Sequence, residues 1–317
     1  MDNLCHTLVG AALAQSGLKR RTRLATATLV IGANLPDLDV LSILTGQALA
    51  FRRGWTHGIL AIAVLPFVLT GLMILWGRWQ AHRTTGLTPL VPRQLLWLGT
   101  IAVITHPFLD WLNVYGVRLL SPFSNRWFYG DAVFIVDPWL WIVLGSGAIW
   151  SALRHRRGVA RAGAPATVGL ILAGIYIAGM IGLTQYGRQV LTRVLELDQP
   201  PSKGAVQIAP NSLNPVRRHV VLASGDKYWF GTIEWRPTPR LVLPGDNVKR
   251  NLEEPHAAAL KDDPRARQLL AWARFPYYMI EGVANRSPGS ADRQIRLDDA
   301  RYSTGRASWA AAVAAIK

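Results

Sequence analysis

The pattern of apolar and polar positions divides the chain into two unlike parts. Residues 1–185 hold long apolar runs separated by short polar connections, whereas residues 186–317 alternate turn residues with short β-prone runs. The first part predicts six helical segments. Two are short, residues 4–18 and Leu24–Leu35, and fall below the roughly 20 residues needed to cross a bilayer. Four are long enough: His57–Trp76, Gln94–Leu112, Ala132–Trp150 and Ala164–Thr184. Pro36 disfavours helical backbone at Leu35 and removes a donor, so the second short helix should end or kink there. In the second part, Arg218–Ala223 and Lys227–Trp235 predict a hairpin around Ser224-Gly-Asp226. Glu253–Arg274 predicts an amphipathic helix, and Phe275–Val283 and Arg293–Tyr302 two more strands. The Pro-rich piece Asp198–Ser202 reads as a linker. The expected fold is mainly α: a polytopic helical membrane domain over residues 1–186, with about four full spans and two short N-terminal helices. A linker over 187–203 and a small α+β soluble domain over 204–317 follow.

Charge sharpens this picture. The net charge of +16 admits nucleic acid as a partner. The Lys and Arg residues, however, sit in short clusters between apolar runs, which points to the bilayer and away from nucleic acid. Of the 15 Lys and Arg residues in positions 1–185, 11 fall in Lys19–Arg23, Arg78–Arg93 and Arg154–Arg161. If the six segments alternate in direction, these clusters share one side, which the basic bias places in the cytoplasm. The opposite ends of the segments and the C-terminal domain then lie on the extracytoplasmic side of a multi-pass inner-membrane protein. Nine of the 13 tryptophans lie in the first 150 residues, several beside polar loops, as in interfacial belts. Cys5 is the single cysteine, so no intramolecular disulfide is possible. The start, Met1–His6, has no basic stretch before its first apolar run, so no cleavable signal peptide is expected.

Acids are the scarce residues. Positions 1–185 contain six, Asp2, Asp37, Asp39, Asp110, Asp131 and Asp137, and no Glu. A soluble stretch of this length would carry about 20. Carboxylates kept beside apolar segments are costly and by default mark a functional site. All six, with His6, His57 and His106, fall on the expected outer side.

His106 and Asp110 stand four apart in Thr105-His-Pro-Phe-Leu-Asp-Trp-Leu-Asn113, so on a helix they share one face. Such a pair either hydrogen-bonds within the helix or forms half of a metal site. The others also have plain structural readings. His6 could be interfacial, Asp37 could cap a helix over Val40–Leu44, and His57 could simply follow a Thr56 cap. Asp39 is harder to explain as a cap once Asp37 serves. Taken together, His6, Asp37, Asp39, His57, His106 and Asp110 are a sufficient ligand set for one or two metal ions. Mixed imidazole and carboxylate donors suit a divalent transition metal, Zn foremost with Mn or Fe as alternatives. Such an ion activates water at neutral pH, and two can clamp a phosphoester. Asp131 is the candidate catalytic carboxylate that orients this water. Asp131 and Asp137 are also candidates to orient histidines, and Asp137, before Pro138, is equally a helix N-cap. Arg52, Arg53 and Arg126 are candidate substrate-binding residues for an anionic head group. Their other reading is snorkelling to lipid head groups, which is preferred for Arg118. The chain has no Gly-rich phosphate loop, no His-Glu-x-x-His and no Cys pair.

At these residues the sequence resembles the membrane-bound metal-dependent hydrolase family, the YdjM-like bacterial inner-membrane proteins. The matching stretches are Met1-Asp-Asn-Leu-Cys-His-Thr7, Gly32-Ala-Asn-Leu-Pro-Asp-Leu-Asp39, Arg52-Arg-Gly-Trp-Thr-His-Gly58, Thr105–Asn113 and Arg126-Trp-Phe-Tyr-Gly-Asp131. Trp272-Ala-Arg-Phe-Pro276 and Asp299-Ala-Arg-Tyr302 look like the C-terminal part of longer members. The resemblance implies an integral membrane protein classed as a hydrolase, with metal ligands at the His and Asp positions above. Cys5 departs from it, because a hydroxyl residue is expected before the histidine. A looser likeness of spacing is to the all-helical zinc phospholipase C and nuclease group, which favours phosphoester hydrolysis.

The function expected is a membrane-embedded metal-dependent hydrolase acting on a phosphoester or lipid-linked substrate at the outer interface through a metal-activated water. The C-terminal domain would cap the site or select the substrate. The alternative is a non-catalytic membrane scaffold or regulatory protein with a structural metal site. An ion transporter would carry acids in the middle of its spans, whereas here they stand at segment ends.

Overall fold

The computed structural model describes residues 1–45, 48–196, 205–283, 292–302 and 311–316. The expected linker Asp198–Ser202 lies outside them. The chain forms two compact units. One comprises Met1–Leu41, Phe51–Thr184 and Pro210–Val216, and the other Ser42–Ala50, Gln185–Ala209 and Arg217–Lys317.

The first unit is helical. Helix α1 (Asn3–Gln15) starts at Asp2, whose carboxylate accepts from the Cys5 amide at 3.1 Å. It packs on α2 (Ala25–Asn34) through Gly10, where a Cβ would stand 2.7 Å from the Leu29 carbonyl oxygen. The α-helical backbone ends at Asn34, before Pro36, but the chain runs on as a 3-10 helix over Leu35–Thr45. The stretch Ala25–Thr45 is therefore 21 residues long and can span, which corrects the expectation of a second short helix. After the single turn α3 (Ala48–Phe51) come α4 (Ile59–Arg83) and α5 (Pro92–Trp111). The last two helices are α6 (Pro138–Arg156) and α7 (Ala164–Val194).

Among the described residues three helical stretches are long and apolar enough to cross a membrane: Ala25–Thr45, α4 and α7. The runs expected as the second and third full spans form α5 and α6, of 20 and 19 residues. Both fall outside that apolar set, since α5 carries Arg93, His106 and Asp110, and α6 ends in Arg154-His-Arg156. The third run also starts later than expected, at Pro138, where Asp137 accepts from the amides of Trp139 and Leu140. Along α4 and α7 large apolar side chains stand exposed, such as Phe67, Leu75, Ile171 and Ile175, as lipid-facing helices require. Inward faces build a core of Cys5, Val9, Leu109, Leu112, Leu140 and Leu144. The Cys5 thiol is packed in this core.

The second unit holds two antiparallel sheets. The first, of five strands, runs β1 (Val206–Pro210), β2 (Arg218–Ser224), β3 (Lys227–Glu234) and β4 (Arg240–Val242), with β5 (Asn247–Lys249) also paired to β3. The β2–β3 hairpin closes at Ser224 opposite Lys227, and Gly225 supplies the positive φ of 59° that the turn needs. The second sheet orders β6 (Pro276–Val283), β7 (Asp292–Asp299) and β8 (Ala312–Ile316). Tyr228, Phe275 and Tyr277 pack in one core cluster with Val221 and Ala300. The helix expected over Glu253–Arg274 is divided. A 3-10 turn covers Pro255–Leu260, and Asp263 with Pro264 then starts a new helix, α8 (Pro264–Trp272).

Candidate metal centre

Four segment ends meet at one end of the helical unit. The start of α1 brings His6, the 3-10 continuation of α2 brings Asp37 and Asp39, the turn before α4 brings His57, and the end of α5 brings His106 and Asp110. All six side chains are buried, and His6, His57, His106 and Asp110 are fully enclosed.

Four of them converge. One ligand atom from each of Asp37, His57, His106 and Asp110 lies within 4.8 Å of every other. The His57 and His106 Nε2 atoms are 3.1 Å apart. Asp110 Oδ2 lies 3.1 Å from the first and 3.4 Å from the second. Asp37 Oδ1 lies 3.8 and 3.7 Å from the same two nitrogens. Ligands of a tetrahedral zinc, each about 2.0–2.1 Å from the ion, stand about 3.3 Å apart. The residues therefore fit a divalent metal. Hydrogen bonding agrees, because neither Asp37 Oδ1 nor Asp110 Oδ2 accepts a hydrogen bond although both are buried.

The surroundings aim the ligands. His106 Nδ1 donates to the Ala33 carbonyl at 2.6 Å, which leaves Nε2 as the lone-pair nitrogen. His57 Nδ1 faces the Thr56 hydroxyl at 3.0 Å and Asp39 Oδ2 at 3.4 Å. Asp39 thus stands behind His57, where it orients the ring, and is not one of the four converging ligands. Burial holds the His57 imidazole below its ordinary pKa, the direction that favours the neutral form a metal ligand needs. Gly58 follows because a Cβ there would stand 2.2 Å from the Ser121 carbonyl oxygen.

The other expected residues sit differently. His6 stacks on His106 with ring centroids 3.7 Å apart, and its Nε2 is 3.4 Å from the second Asp110 oxygen, Oδ1. That oxygen also meets the Met1 amino group and the Arg53 guanidinium, the latter at 3.1 Å. A second cation beside His6 would face this positive charge, so the arrangement suits one ion. Arg53 does not point outward as a substrate-binding residue would. It is buried, and it donates to Asn113 Oδ1 at 3.1 Å and to the Gly116 and Met1 carbonyls at 3.3 Å each. Its φ of 50° places it in the left-handed region, and its amide donates to Asp39 at 2.6 Å. Arg52 stays partly exposed at the rim, 3.7 Å from Asp39 and 4.0 Å from Asp37. Arg126 is exposed and stacks over Phe128.

Asp131 is buried with φ 55°, and its backbone carbonyl accepts from the Thr184 hydroxyl. Its carboxylate is not among the four that converge. Asp137 caps α6 and accepts from the Tyr176 hydroxyl at 2.8 Å. Arg118, expected to snorkel, is buried and bonds the Arg52 carbonyl at 3.1 Å. The sequence assigns no role to Asn113 and reads Thr56 only as a helix cap. The only signal for either was its place inside a motif stretch, since the loop that folds Asn113 against Arg53 is irregular.

No solved structure matches this chain. An uncharacterized protein of Bacillus subtilis (strain 168), YfhP, is 27% identical over 200 residues, 57% of this chain and 54% of the relative. The chain thus spans about half the length of that curated relative. The model of the YdjM inner membrane protein family matches residues 1–187, which hold every residue of the converging cluster, and the chain belongs to this family.

Proposed function

We propose that the protein is a membrane-embedded metal-dependent hydrolase that acts on a phosphoester or lipid-linked substrate at the outer membrane interface. The observation that carries the reading is the convergence of two imidazoles and two carboxylates at ligand spacing in a buried cluster. His57, His106 and Asp110 form the tight inner set and would hold the ion. When bound, a divalent metal supplies Lewis-acid activation of water and of a phosphoryl oxygen.

Asp37 lies farther from the two imidazoles and is 7% exposed, beside the partly exposed Arg52. It would take a proton from water, the role expected of Asp131, whose carboxylate is not among the four that converge. Arg52, still partly in solvent, would hold an anionic substrate group. Asp39, Thr56 and the Ala33 carbonyl keep the two imidazoles turned inward. The basic bias of the opposite segment ends supports an extracytoplasmic site in the inner membrane.

A second reading has its own observation. Four buried protein ligands are the number of a closed structural site, and a scaffold held by such an ion would have no catalytic water position. Elemental analysis of the detergent-purified protein, beside the His106→Ala/Asp110→Ala double variant, comes first. About one equivalent of transition metal, absent from the variant, is expected. The loaded protein should then release phosphate from a panel of phosphomonoesters, phosphodiesters and lipid phosphates. Metal bound without any turnover would support the scaffold. No metal in either sample, even after reconstitution with Zn or Mn, would overturn both.

A further inference from the structure

The other end of the same helices carries a second feature. The segments that bring their His and Asp ends to the metal centre have their opposite ends at the 19–27 turn and at residues 88–91. There a cavity of about 670 Å³ is lined by Lys19–Ala27 with Thr88, Pro89 and Val91. The volume falls in the range of small-ligand sites.

Its wall is built, not a chance gap between loops. Thr22 is buried, and its hydroxyl accepts from the Val91 amide at 2.8 Å. Arg23 reaches across to the Gly77 carbonyl at 2.8 Å, and its amide meets the Pro89 carbonyl at 3.4 Å. The buried Arg23 Nε has no hydrogen-bond partner. Leu24, at φ 64°, opens α2 with no side-chain cap; the Ala25 amide meets the Thr22 carbonyl at 3.3 Å, and the first turn of that helix lines the cavity. Lys19, Arg20, Arg21 and Arg23 bring four cations to this wall, and among the described residues no carboxylate pairs with them. The contacts they make are to neutral groups: Lys19 to Gln15 at 2.7 Å, Arg20 to His155 at 3.5 Å and Arg23 to Gly77. Four cations beside a helix start without a side-chain cap, around one cavity, together describe a receptor for an anion. Its place at the ends of lipid-facing helices selects an anion that belongs to the bilayer.

We propose that this cavity binds the phosphodiester head group of an anionic phospholipid, on the side of the bilayer opposite the metal centre. Arg21 and Lys19 would meet the phosphate from the rim, while Arg23 and the first turn of α2 would hold it from within.

The test uses the full-length protein, purified in detergent and stripped of lipid. Its melting is followed by tryptophan fluorescence while phosphatidylglycerol, phosphatidylcholine or inorganic phosphate is added. Phosphatidylglycerol should raise the melting temperature by several degrees, and phosphatidylcholine should not. Lys19→Gln/Arg21→Gln should lose this increment. Arg156→Gln/Arg157→Gln removes the same charge from exposed positions at the same end and should keep it. Native mass spectrometry should count retained phosphatidylglycerol on the wild type and on the control variant but not on the cavity variant. If the double variant fails to fold, Arg21→Gln alone is read in the same way. Equal shifts from both lipids would overturn the proposal, as would equal loss in the control variant. A shift reproduced by inorganic phosphate at the same concentration would assign the cavity to a free anion and overturn the lipid reading.

Discussion

Each unit buries a network of acids, and the two are built on opposite principles. In the C-terminal unit Asp299 is enclosed with Arg301, whose guanidinium meets the carboxylate at 2.8 Å. Both Asp299 oxygens are also taken by backbone amides, from Arg274 at 2.8 Å and Arg301 at 2.9 Å. Asp298 is likewise matched by Arg296 at 2.8 Å. Each of these two acids has an opposite charge beside it, and the Trp272 ring lies against the Arg301 guanidinium. In the helical unit Asp110 Oδ2 and Asp37 Oδ1 face two imidazole nitrogens and accept no hydrogen bond. A closed network of pairs holds a fold together. Converging lone pairs without donors call for a cation from outside.

The widest separation between the two networks should come from removing histidines. His57→Ala and His106→Ala should each lose most of the bound metal by elemental analysis, whereas His6→Ala should retain it. His6 stacks on His106, but its ring nitrogen faces the Asp110 oxygen turned toward Arg53, not the converging one. Retention in His57→Ala would dissolve the proposed ligand set, and loss in His6→Ala would favour two ions. Asp299→Ala should do the reverse. Breaking one partner of a buried pair costs about 3–5 kcal/mol. A calorimetric scan should show that loss of stability while the metal content of the folded protein is unchanged. Metal loss there would mean that the two networks are not independent.

The sequence carries the ligands more clearly than their geometry. Carboxylates are so few among the apolar segments that Asp37, Asp39 and Asp110 stand out on scarcity alone, and the four-residue spacing places His106 with Asp110. It does not reveal that Asp39 stands behind His57, or that Arg53 turns inward to Asp110. Both depend on a left-handed backbone at Arg53 and on the irregular loop after α5, where no periodicity speaks. The fold divides in the same way. The hairpin Arg218–Glu234 is visible through its Ser-Gly-Asp turn. The strand Ala312–Ile316 is hidden, because an alanine-rich stretch reads as helix or loop until a partner strand supplies its pairing. Ala25–Thr45 looked too short because a proline ends an α-helix, yet a 3-10 helix continues past it.

Asp39→Asn should have an intermediate effect. Residues that orient a metal-ligating imidazole change affinity by about 10–100-fold when replaced. Competition against a chelator of known affinity should show a weakening in this range with the stoichiometry unchanged. A complete loss would promote Asp39 to a ligand, and no change would leave Thr56 as the sole orienting group for His57.

The smallest effect separates the two outer arginines. Arg52 sits at the rim beside Asp39 and Asp37, whereas Arg126 stacks on Phe128 in the open. Binding of inorganic phosphate to the metal-loaded protein, followed by calorimetry, should weaken in Arg52→Gln by up to about 1 kcal/mol, the scale of a partly exposed ion contact. Arg126→Gln should stay close to the wild type. Neither change should alter the metal content, since neither residue reaches the inner ligands. If Arg126→Gln is the variant that weakens, the anion sits away from the ligand set, and the open side of the site is not where Arg52 and Asp37 place it.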